Sequence, residues 1–154
     1  MTRLLRIAVI DDNRSELFLL EEVFKTFAAQ VKVTTYSDGK AAFDAMQHSD
    51  ALCPDVVLLD INMPGMNGFE VLKAMKADAK LKCIPVVVLT TSMDESDVMQ
   101  AYALFASAYL VKSGHFSDLL KQMKSLVEFW TRTRLMSWPS PSALDILQEV
   151  PLSR

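Results

Sequence analysis

The sequence predicts an α/β domain in which five strands and five helices alternate around a parallel sheet. Short apolar runs rich in β-branched residues recur along the chain between turn residues, which is typical of strands. Each run is followed by a segment whose apolar residues have helical spacing. Most of the runs are apolar throughout, as expected of strands that are buried on both faces. Strands and helices that alternate in this way form a parallel sheet covered by helices on both faces.

The five predicted strands differ in the residues that end them. The first ends in two aspartates, the third in one aspartate, the fourth in threonines and the fifth in a lysine. The second strand alternates polar and β-branched residues, and a turn sequence containing glycine follows it. The predicted strands cover residues 4–10, 31–36, 56–60, 85–90 and 108–111.

The five predicted helices follow the strands, and polar residues are expected to begin two of them. Asn13 or Ser15 is expected to cap the first helix, and Asp94 or Ser96 begins the fourth. The fifth helix is expected to cover residues 115–130 and to carry an apolar stripe. The apolar positions of the five helices fall within residues 17–27, 41–48, 69–75, 98–104 and 116–130.

The composition is that of a globular protein. Hydrophobic residues make up 51% of the chain and charged residues 23%. The net charge of −3 argues against a general nucleic-acid-binding surface. Cys53 and Cys83 lack metal-ligand spacing, so we expect free thiols in a reducing compartment. Residues 1–10 are too short for a signal peptide and no apolar run is long enough to span a bilayer, so we expect a soluble cytoplasmic protein.

The residues that end the strands form the candidate functional site. Parallel strands share a direction, so the side chains at their carboxyl ends meet at one edge of the sheet, where open α/β folds bind ligands. A carboxylate at the end of a buried strand is costly unless it has a use, although Asp60 could also simply cap its loop. The candidate residues are Asp11, Asp12, Asp60, Thr90, Thr91 and Lys112.

This set of side chains suits one kind of chemistry. Converging carboxylates repel one another, and a hard divalent cation such as Mg²⁺ relieves that repulsion while it retains water and phosphate ligands. With such an ion an aspartate can attack phosphorus. A hydroxyl of Thr90 or Thr91 could bond one phosphoryl oxygen, and Lys112 could bond another. Together these residues predict an Mg²⁺-dependent aspartyl phosphorylation site at the carboxyl edge of the sheet.

The chain resembles the receiver domains of two-component response regulators over residues 4–130. The motifs that carry the resemblance are IDDN, LLDINMPGMNGFEVL, PVVVLTTS and YLVK. The resemblance implies a flavodoxin-like, doubly wound sheet with the strand order 2-1-3-4-5. It also implies that Asp60 is the phosphoacceptor and that Asp12 binds Mg²⁺ directly. Asp11 is then expected to act largely through water, and the backbone carbonyl of Asn62 to complete the protein ligands.

The resemblance further implies a two-state switch. A phosphohistidine of a sensor kinase, or a small phosphodonor, is expected to phosphorylate Asp60. Thr90 matches the switch hydroxyl, Tyr109 the switch aromatic and Lys112 the lysine that pairs with phosphate. Thr90 would move toward the phosphate and Tyr109 would move inward. The face formed by the fourth helix, fifth strand and fifth helix would then be remodelled and read by a partner.

Two residues depart from the receiver pattern near the fifth strand. Receivers usually follow the lysine with a proline in a cis peptide, whereas Ser113 follows Lys112 here. A cis bond before a non-proline residue costs about 3 kcal/mol, so either that cost is borne or, as we expect, the bond is trans and Lys112 is aimed differently. Phe105 stands where the family commonly has glycine. Both departures bear on the geometry of the switch.

The output of the domain is expected to be protein contact. The LTTS motif and the sequence VEFW at the end of the fifth helix resemble receivers that partner phytochrome-type kinases, which often dimerise. Phe129 and Trp130 point about 100° apart on a helix, so both cannot readily face the core. We expect a homodimer interface that includes Phe105, Phe129 and Trp130. Residues 131–154 are interpreted as an arm or short helix, too short for a separate domain.

Two alternative functions use a similar set of residues. A haloacid-dehalogenase-type phosphatase also uses a strand-end aspartate, but it needs a second acid two residues later, where Asn62 stands. A receiver that acts only as a phosphorylation-independent interaction module is the second alternative. The intact acid pair, Asp60, Thr90 and Lys112 argue against that module, and Ser113 and Phe105 favour it.

Overall fold

All five strands form one parallel sheet in the order β2-β1-β3-β4-β5. This arrangement comes from a computed structural model, which describes residues 3–135. Parallel neighbours require a crossover connection, and a helix follows each strand. The predicted α/β class and the strand order 2-1-3-4-5 of the flavodoxin-like fold are therefore confirmed.

The bounds of the elements lie close to the predicted ones. The strands are β1 Leu5–Ile10, β2 Val31–Tyr36, β3 Val56–Leu59, β4 Val86–Thr90 and β5 Ala108–Val111. The helices are α1 Arg14–Lys25, α2 Gly39–His48, α3 Gly68–Ala77, α4 Glu95–Ala103 and α5 Phe116–Arg132. A short 3-10 helix, Asp50–Leu52, precedes β3. The predicted arm at residues 131–154 lies mostly outside the described residues, so the division of the chain at residue 130 stays a prediction.

The core consists of two apolar layers, one on each face of the sheet. One layer joins the sheet to α2 and α3 through residues such as Met46 and Leu72, and the other joins it to α1 and α5 through Leu20 and Met123. Every residue of β3 and β4 is buried, because these central strands are covered on both faces. The sheet is thus a rigid platform whose carboxyl edge positions the candidate site.

Side-chain caps begin three of the helices that follow this edge. Asn13 accepts a hydrogen bond from the backbone N–H of Glu16, and Asp38 accepts one from that of Ala41. Asn67 and Glu70 form a reciprocal capping box at the start of α3. Of the two predicted caps of α1, Asn13 is therefore the residue that is used. These caps fix where the loops at the carboxyl edge turn into helices.

Neither cysteine is in a disulfide, in agreement with the prediction of free thiols. Cys53 is buried and its thiol donates to the carbonyl oxygen of Met46 at 3.4 Å, whereas Cys83 is exposed. Within residues 3–135 no helix has both the length and the apolar character needed to cross a membrane.

Gly68 brings α3 into close contact with the end of β3. A Cβ atom at this position would lie 2.3 Å from the carbonyl oxygen of Asp60 and 2.5 Å from Cα of Ile61. Both obstacles are backbone atoms, which cannot swing away as a flexible side chain can. The absence of a side chain at Gly68 therefore sets how closely the helix approaches the loop that carries Asp60.

Substitution Gly68→Ala should destabilise the fold by about 2 to 3 kcal/mol, because the added methyl group forces the backbone apart. Urea unfolding followed by circular dichroism measures this loss. Gly114→Ala is the matched control, since a Cβ atom there meets nothing within 4 Å and its φ is not positive. The control should change stability by about 0.5 kcal/mol or less. Equal stabilities for the two variants would show that the close approach is not a constraint.

Candidate functional site

Three aspartates meet at the carboxyl edge of the sheet. Asp11 and Asp12 follow β1, Asp60 follows β3, and one carboxylate oxygen of each lies within 4.8 Å of the others. Asp11 is 1% exposed and Asp60 8% exposed, while Asp12 is half-buried. The structure therefore brings together the three carboxylates that the sequence predicted as a set.

Backbone hydrogen bonds hold these aspartates in place. The backbone N–H of Asp60 donates to the carbonyl oxygen of Ile10 at 2.9 Å, which extends the pairing of β3 with β1 by one residue. The carboxylate of Asp60 accepts from the backbone N–H of Asn62 at 3.1 Å, and that of Asp11 accepts from Asn13 at 2.9 Å. Each carboxylate thus closes its own turn and keeps its remaining oxygen positions for other ligands.

Lys112 reaches into the carboxylate cluster from β5. Its backbone N–H donates to the carbonyl oxygen of Thr90 at 2.8 Å, which anchors the residue to the end of β4. Its side chain is 9% exposed, and its ammonium group donates to Asp11 at 2.6 Å and also to Glu16 and lies 3.7 Å from Asp60. The ammonium therefore neutralises part of the negative charge, and Asp60 is the most distant of its three acidic neighbours.

Burial and charge shift the protonation of two of these groups. Burial raises the pKa of Asp60, and the nearby Asp11 raises it further, against the opposing effects of Lys112 and the Asn62 N–H. Burial alone would lower the pKa of Lys112, but hydrogen bonds to Asp11 and Glu16 outweigh that effect and raise it. Lys112 is therefore protonated and positively charged at neutral pH.

The threonines after β4 occupy different environments. Thr90 is fully buried, and its hydroxyl oxygen accepts from the backbone N–H of Ser92 at 3.4 Å and from the Asn62 side-chain amide at 3.5 Å. Thr91 is exposed. The Asn62 contact joins the loop after β3 to the end of β4. Of the two predicted hydroxyls, Thr90 is the one that the structure connects to the loop carrying Asp60.

Tyr109 is connected to the same loop after β4. The tyrosine is half-buried on β5, and its hydroxyl donates to the carbonyl oxygen of Ser92 at 2.9 Å. The Ser92 hydroxyl in turn donates to the carboxylate of Asp97 in the first turn of α4 at 2.5 Å. A chain of hydrogen bonds therefore joins β5 and the start of α4 through Ser92.

Glu16, Ser92 and Asp97 make contacts at the site that the sequence did not predict. Acidic residues are common in the first turn of a helix, where the helix dipole favours them. The position of Glu16 in the sequence therefore did not mark it as a site residue. Its partner Lys112 is 96 residues away in the chain, so nothing in local spacing signals the pair. Ser92 and Asp97 are polar residues beside a helix start, which is common for capping residues.

Comparison with known proteins gives a family match over most of the chain. Residues 7–124 match the family model for the response regulator receiver domain. The chain belongs to this family. A receiver chain described as response regulator Rcp1 of Synechocystis sp. is 37% identical over 131 residues, which cover 82% of this chain and 89% of Rcp1.

Two solved receiver structures have the same fold. The phosphorylated cyanobacterial phytochrome response regulator RcpA is 35% identical, with a TM-score of 0.80, covering 88% of this chain and 100% of that one. The Mn²⁺-bound form of Rcp1 is 36% identical, with a TM-score of 0.75, covering 88% of this chain and 99% of that one. Metal binding and phosphorylation are therefore described for receivers that resemble this chain.

The predicted interface aromatics of this receiver differ in their exposure. Phe105 is 58% exposed and has φ of 69°, a left-handed conformation that costs a non-glycine residue about 1 to 2 kcal/mol. Phe129 is 62% exposed, whereas Trp130 packs against the α1 and α5 core layer. The two rings meet edge to face with centroids 5.0 Å apart. Trp130 therefore packs on the core, and Phe129 faces outward.

The raised pKa of Asp60 predicts a pH-dependent stability effect. A carboxyl whose pKa is higher in the folded chain than its ordinary value of 3.8 stabilises the fold when protonated, and this stabilisation is lost as pH rises through the raised pKa. In EDTA at pH 7, Asp60→Asn should therefore raise the free energy of unfolding by about 1 kcal/mol. The gain should vanish as the pH falls and the native Asp60 becomes protonated.

Urea unfolding at a series of pH values measures this difference. Asp44→Asn is the control, because Asp44 lies at the surface of α2 and pairs with Lys40 at 3.0 Å. This variant should show no gain at any pH. An Asp60→Asn chain no more stable than the native chain at pH 7 would contradict the account of burial and repulsion at Asp60.

Proposed function

We propose that this chain is a response regulator that accepts a phosphoryl group on Asp60 from a sensor histidine kinase. The observation that carries the proposal is the buried carboxylate of Asp60 beside two further acids and the ammonium of Lys112. Its chemistry is limited to its own phosphorylation and dephosphorylation, so the chain is a signalling acceptor rather than an enzyme acting on other substrates. The cytoplasm, where such kinases present their phosphohistidines, is its proposed location.

The donor set fits Mg²⁺. Asp11, Asp12 and Asp60 offer hard carboxylate oxygens within 4.8 Å of one another, and the ion prefers such ligands together with water. The backbone carbonyl of Asn62 is the proposed fourth protein ligand, with Asp12 bound directly and Asp11 largely through water. When bound, the cation supplies positive charge that offsets the charge of an incoming phosphoryl group.

Several residues of the chain have separate roles in the proposed phosphoryl transfer. A carboxylate oxygen of Asp60 forms a bond to phosphorus while the phosphorus–nitrogen bond of the phosphohistidine breaks. The electron pair of the broken bond remains on the imidazole nitrogen, which is then free to take a proton from solvent. Lys112 and the hydroxyl of Thr90 are proposed to bond the phosphoryl oxygens, with Thr91 at the exposed rim.

Phosphorylation is proposed to act on the hydrogen bonds around Ser92. When Thr90 turns toward the phosphoryl group, it gives up its contacts with Ser92 and Asn62. The loop that carries Ser92 also accepts the Tyr109 hydroxyl and bonds Asp97 at the start of α4. A shift of this loop therefore moves Tyr109 inward and changes the face formed by α4, β5 and α5.

The proposed kinase partner is of the phytochrome type. The support is the similarity to Rcp1 and to RcpA, which is described as a phytochrome response regulator. The output is proposed to be contact with another protein rather than with nucleic acid or membrane, since the net charge of −3 does not favour binding to a polyanionic surface.

A homodimer through the α4, β5 and α5 face is the proposed form of that contact. Phe129 and Trp130 line a groove of about 470 Å³ beside β5, together with Leu110 and Leu126. Phe105, held in its left-handed conformation, displays a further aromatic ring before β5. We expect the backbone strain at Phe105 to be retained because its exposed ring contacts a partner.

Intact mass and oligomeric state, measured together, test the proposed function. With acetyl phosphate and Mg²⁺ the native chain should gain the mass of one phosphoryl group, while Asp60→Asn should gain none. EDTA should abolish the gain, because the clustered carboxylates need a cation to approach a phosphoryl donor. A native chain that takes no phosphoryl group from acetyl phosphate or from a competent kinase would favour the phosphorylation-independent interaction module instead.

The same samples test the dimer by light scattering. Phe129→Ala should lower the dimer fraction of the phosphorylated chain without lowering its phosphoryl content, since Phe129 is exposed and lies beside Ser107 and Ala108 at the start of β5, whereas Asp60 follows the end of β3. Phe18→Ala is the matched control, because Phe18 is 63% exposed but lies on α1. Equal dimer fractions for the native chain and Phe129→Ala would move the output to another partner.

A further inference from the structure

The contact between Glu16 and Lys112 has no role in the proposed phosphorylation of Asp60. Glu16 lies in the first turn of α1, and its side chain is 34% exposed. It reaches the ammonium of Lys112, which simultaneously donates to Asp11 at 2.6 Å. Asp60, the residue that this ammonium is proposed to serve, lies farther away at 3.7 Å.

The position of Glu16 is fixed by the start of α1. Its backbone N–H donates to the Asn13 side chain, which itself follows the acid pair directly. The carboxylate is therefore held on the helical turn nearest to the carboxyl edge of the sheet. This geometry makes Glu16 a steady neighbour of Lys112 rather than an incidental surface contact.

The ammonium group of Lys112 has a limited number of hydrogen-bond donors. An ammonium group has three N–H donors, and Asp11 and Glu16 each accept one of them. A phosphoryl group on Asp60 would add oxygen acceptors beside the remaining donor and would draw the ammonium toward itself. Full pairing with the phosphoryl oxygens therefore competes with the contact to Glu16.

We propose that Glu16 is a positioning residue that holds Lys112 back from Asp60 and so weakens the phosphorylated state. This inference rests on the proposed function of Asp60. The Glu16 carboxylate contacts the ammonium of Lys112 and is not part of the cluster of three aspartates that is suited to a cation, so its effect is proposed to pass through Lys112. The chain thereby sets its own threshold for switching with a residue outside the phosphorylation site.

Binding of beryllofluoride, an analogue of the phosphoryl group, at saturating Mg²⁺ tests the proposal, with affinity read by fluorine NMR. The saturating Mg²⁺ concentration is established separately for each variant. Glu16→Gln keeps the shape of the side chain and removes its charge. It should bind beryllofluoride about two- to fivefold more tightly than the native chain, the range expected for a partly exposed ion pair.

The control on the same helix is Glu22→Gln. Glu22 pairs with Lys25 at 2.6 Å and has no contact with Lys112, so this variant should bind as the native chain does. The Lys112→Ala background is the second comparison, with the beryllofluoride range extended until that variant saturates. There Glu16→Gln should give no gain, because the residue through which it acts is missing.

The outcomes separate the two proposals. If the native chain binds beryllofluoride and Glu16→Gln binds it no more tightly, the proposed role of Glu16 is overturned. The proposed function is unaffected by that result. A gain that persists without Lys112 also overturns it, since Glu16 would then act by general charge. A native chain that neither binds beryllofluoride nor takes a phosphoryl group overturns the proposed function and the inference with it.

Discussion

Repulsion among carboxylates at one edge of the sheet is the constraint on which the rest of the structure depends. Asp11, Asp12 and Asp60 converge within 4.8 Å, and two of them are buried. Buried charges are tolerated only when they are paired and hydrogen-bonded. Backbone N–H groups bond two of the carboxylates, and the ammonium of Lys112 supplies the balancing charge. The arrangement leaves net negative charge among the three carboxylates, which suits a further cation.

The sheet supplies this arrangement through its parallel topology. Strands β1, β3 and β5 end at one edge, so residues far apart in the chain meet without long loops. Gly68 lets α3 approach the backbone of Asp60 closely, and the cap of α1 by Asn13 holds Glu16 beside Lys112. The apolar layers that bury β3 and β4 keep the edge rigid. The packing that stabilises the fold therefore also positions the residues of the site.

Much of the architecture could be predicted from the sequence, because it depends on local patterns. Apolar β-branched runs identified the strands, and the residues that end them identified the carboxyl edge with Asp60 and Lys112 on it. Helical geometry predicted that Phe129 and Trp130 point apart, and Trp130 falls on the predicted apolar stripe of α5. Trp130 packs on the layer between α1 and α5, as that stripe predicts.

Features that depend on tertiary partners could not be predicted in this way. The contact of Glu16 with Lys112 and the hydrogen bond from Ser92 to Asp97 join side chains whose types are ordinary at helix starts. The left-handed backbone of Phe105 was also not foreseen, although the expectation of glycine there pointed to an unusual turn. Fifth-helix bounds were close to the predicted ones, but Phe116 is 51% exposed rather than part of the apolar stripe.

Crystal structures of the chain with and without Mg²⁺ and beryllofluoride would test the central claim most directly. The quantity to measure is the distance from Lys112 Nζ to Glu16 and to the fluorine atoms. The account predicts beryllofluoride on Asp60, with Lys112 bonded to a fluorine atom and withdrawn from Glu16. Beryllofluoride on another residue, or Lys112 still bonded to Glu16 and remote from the fluorine atoms, would contradict it.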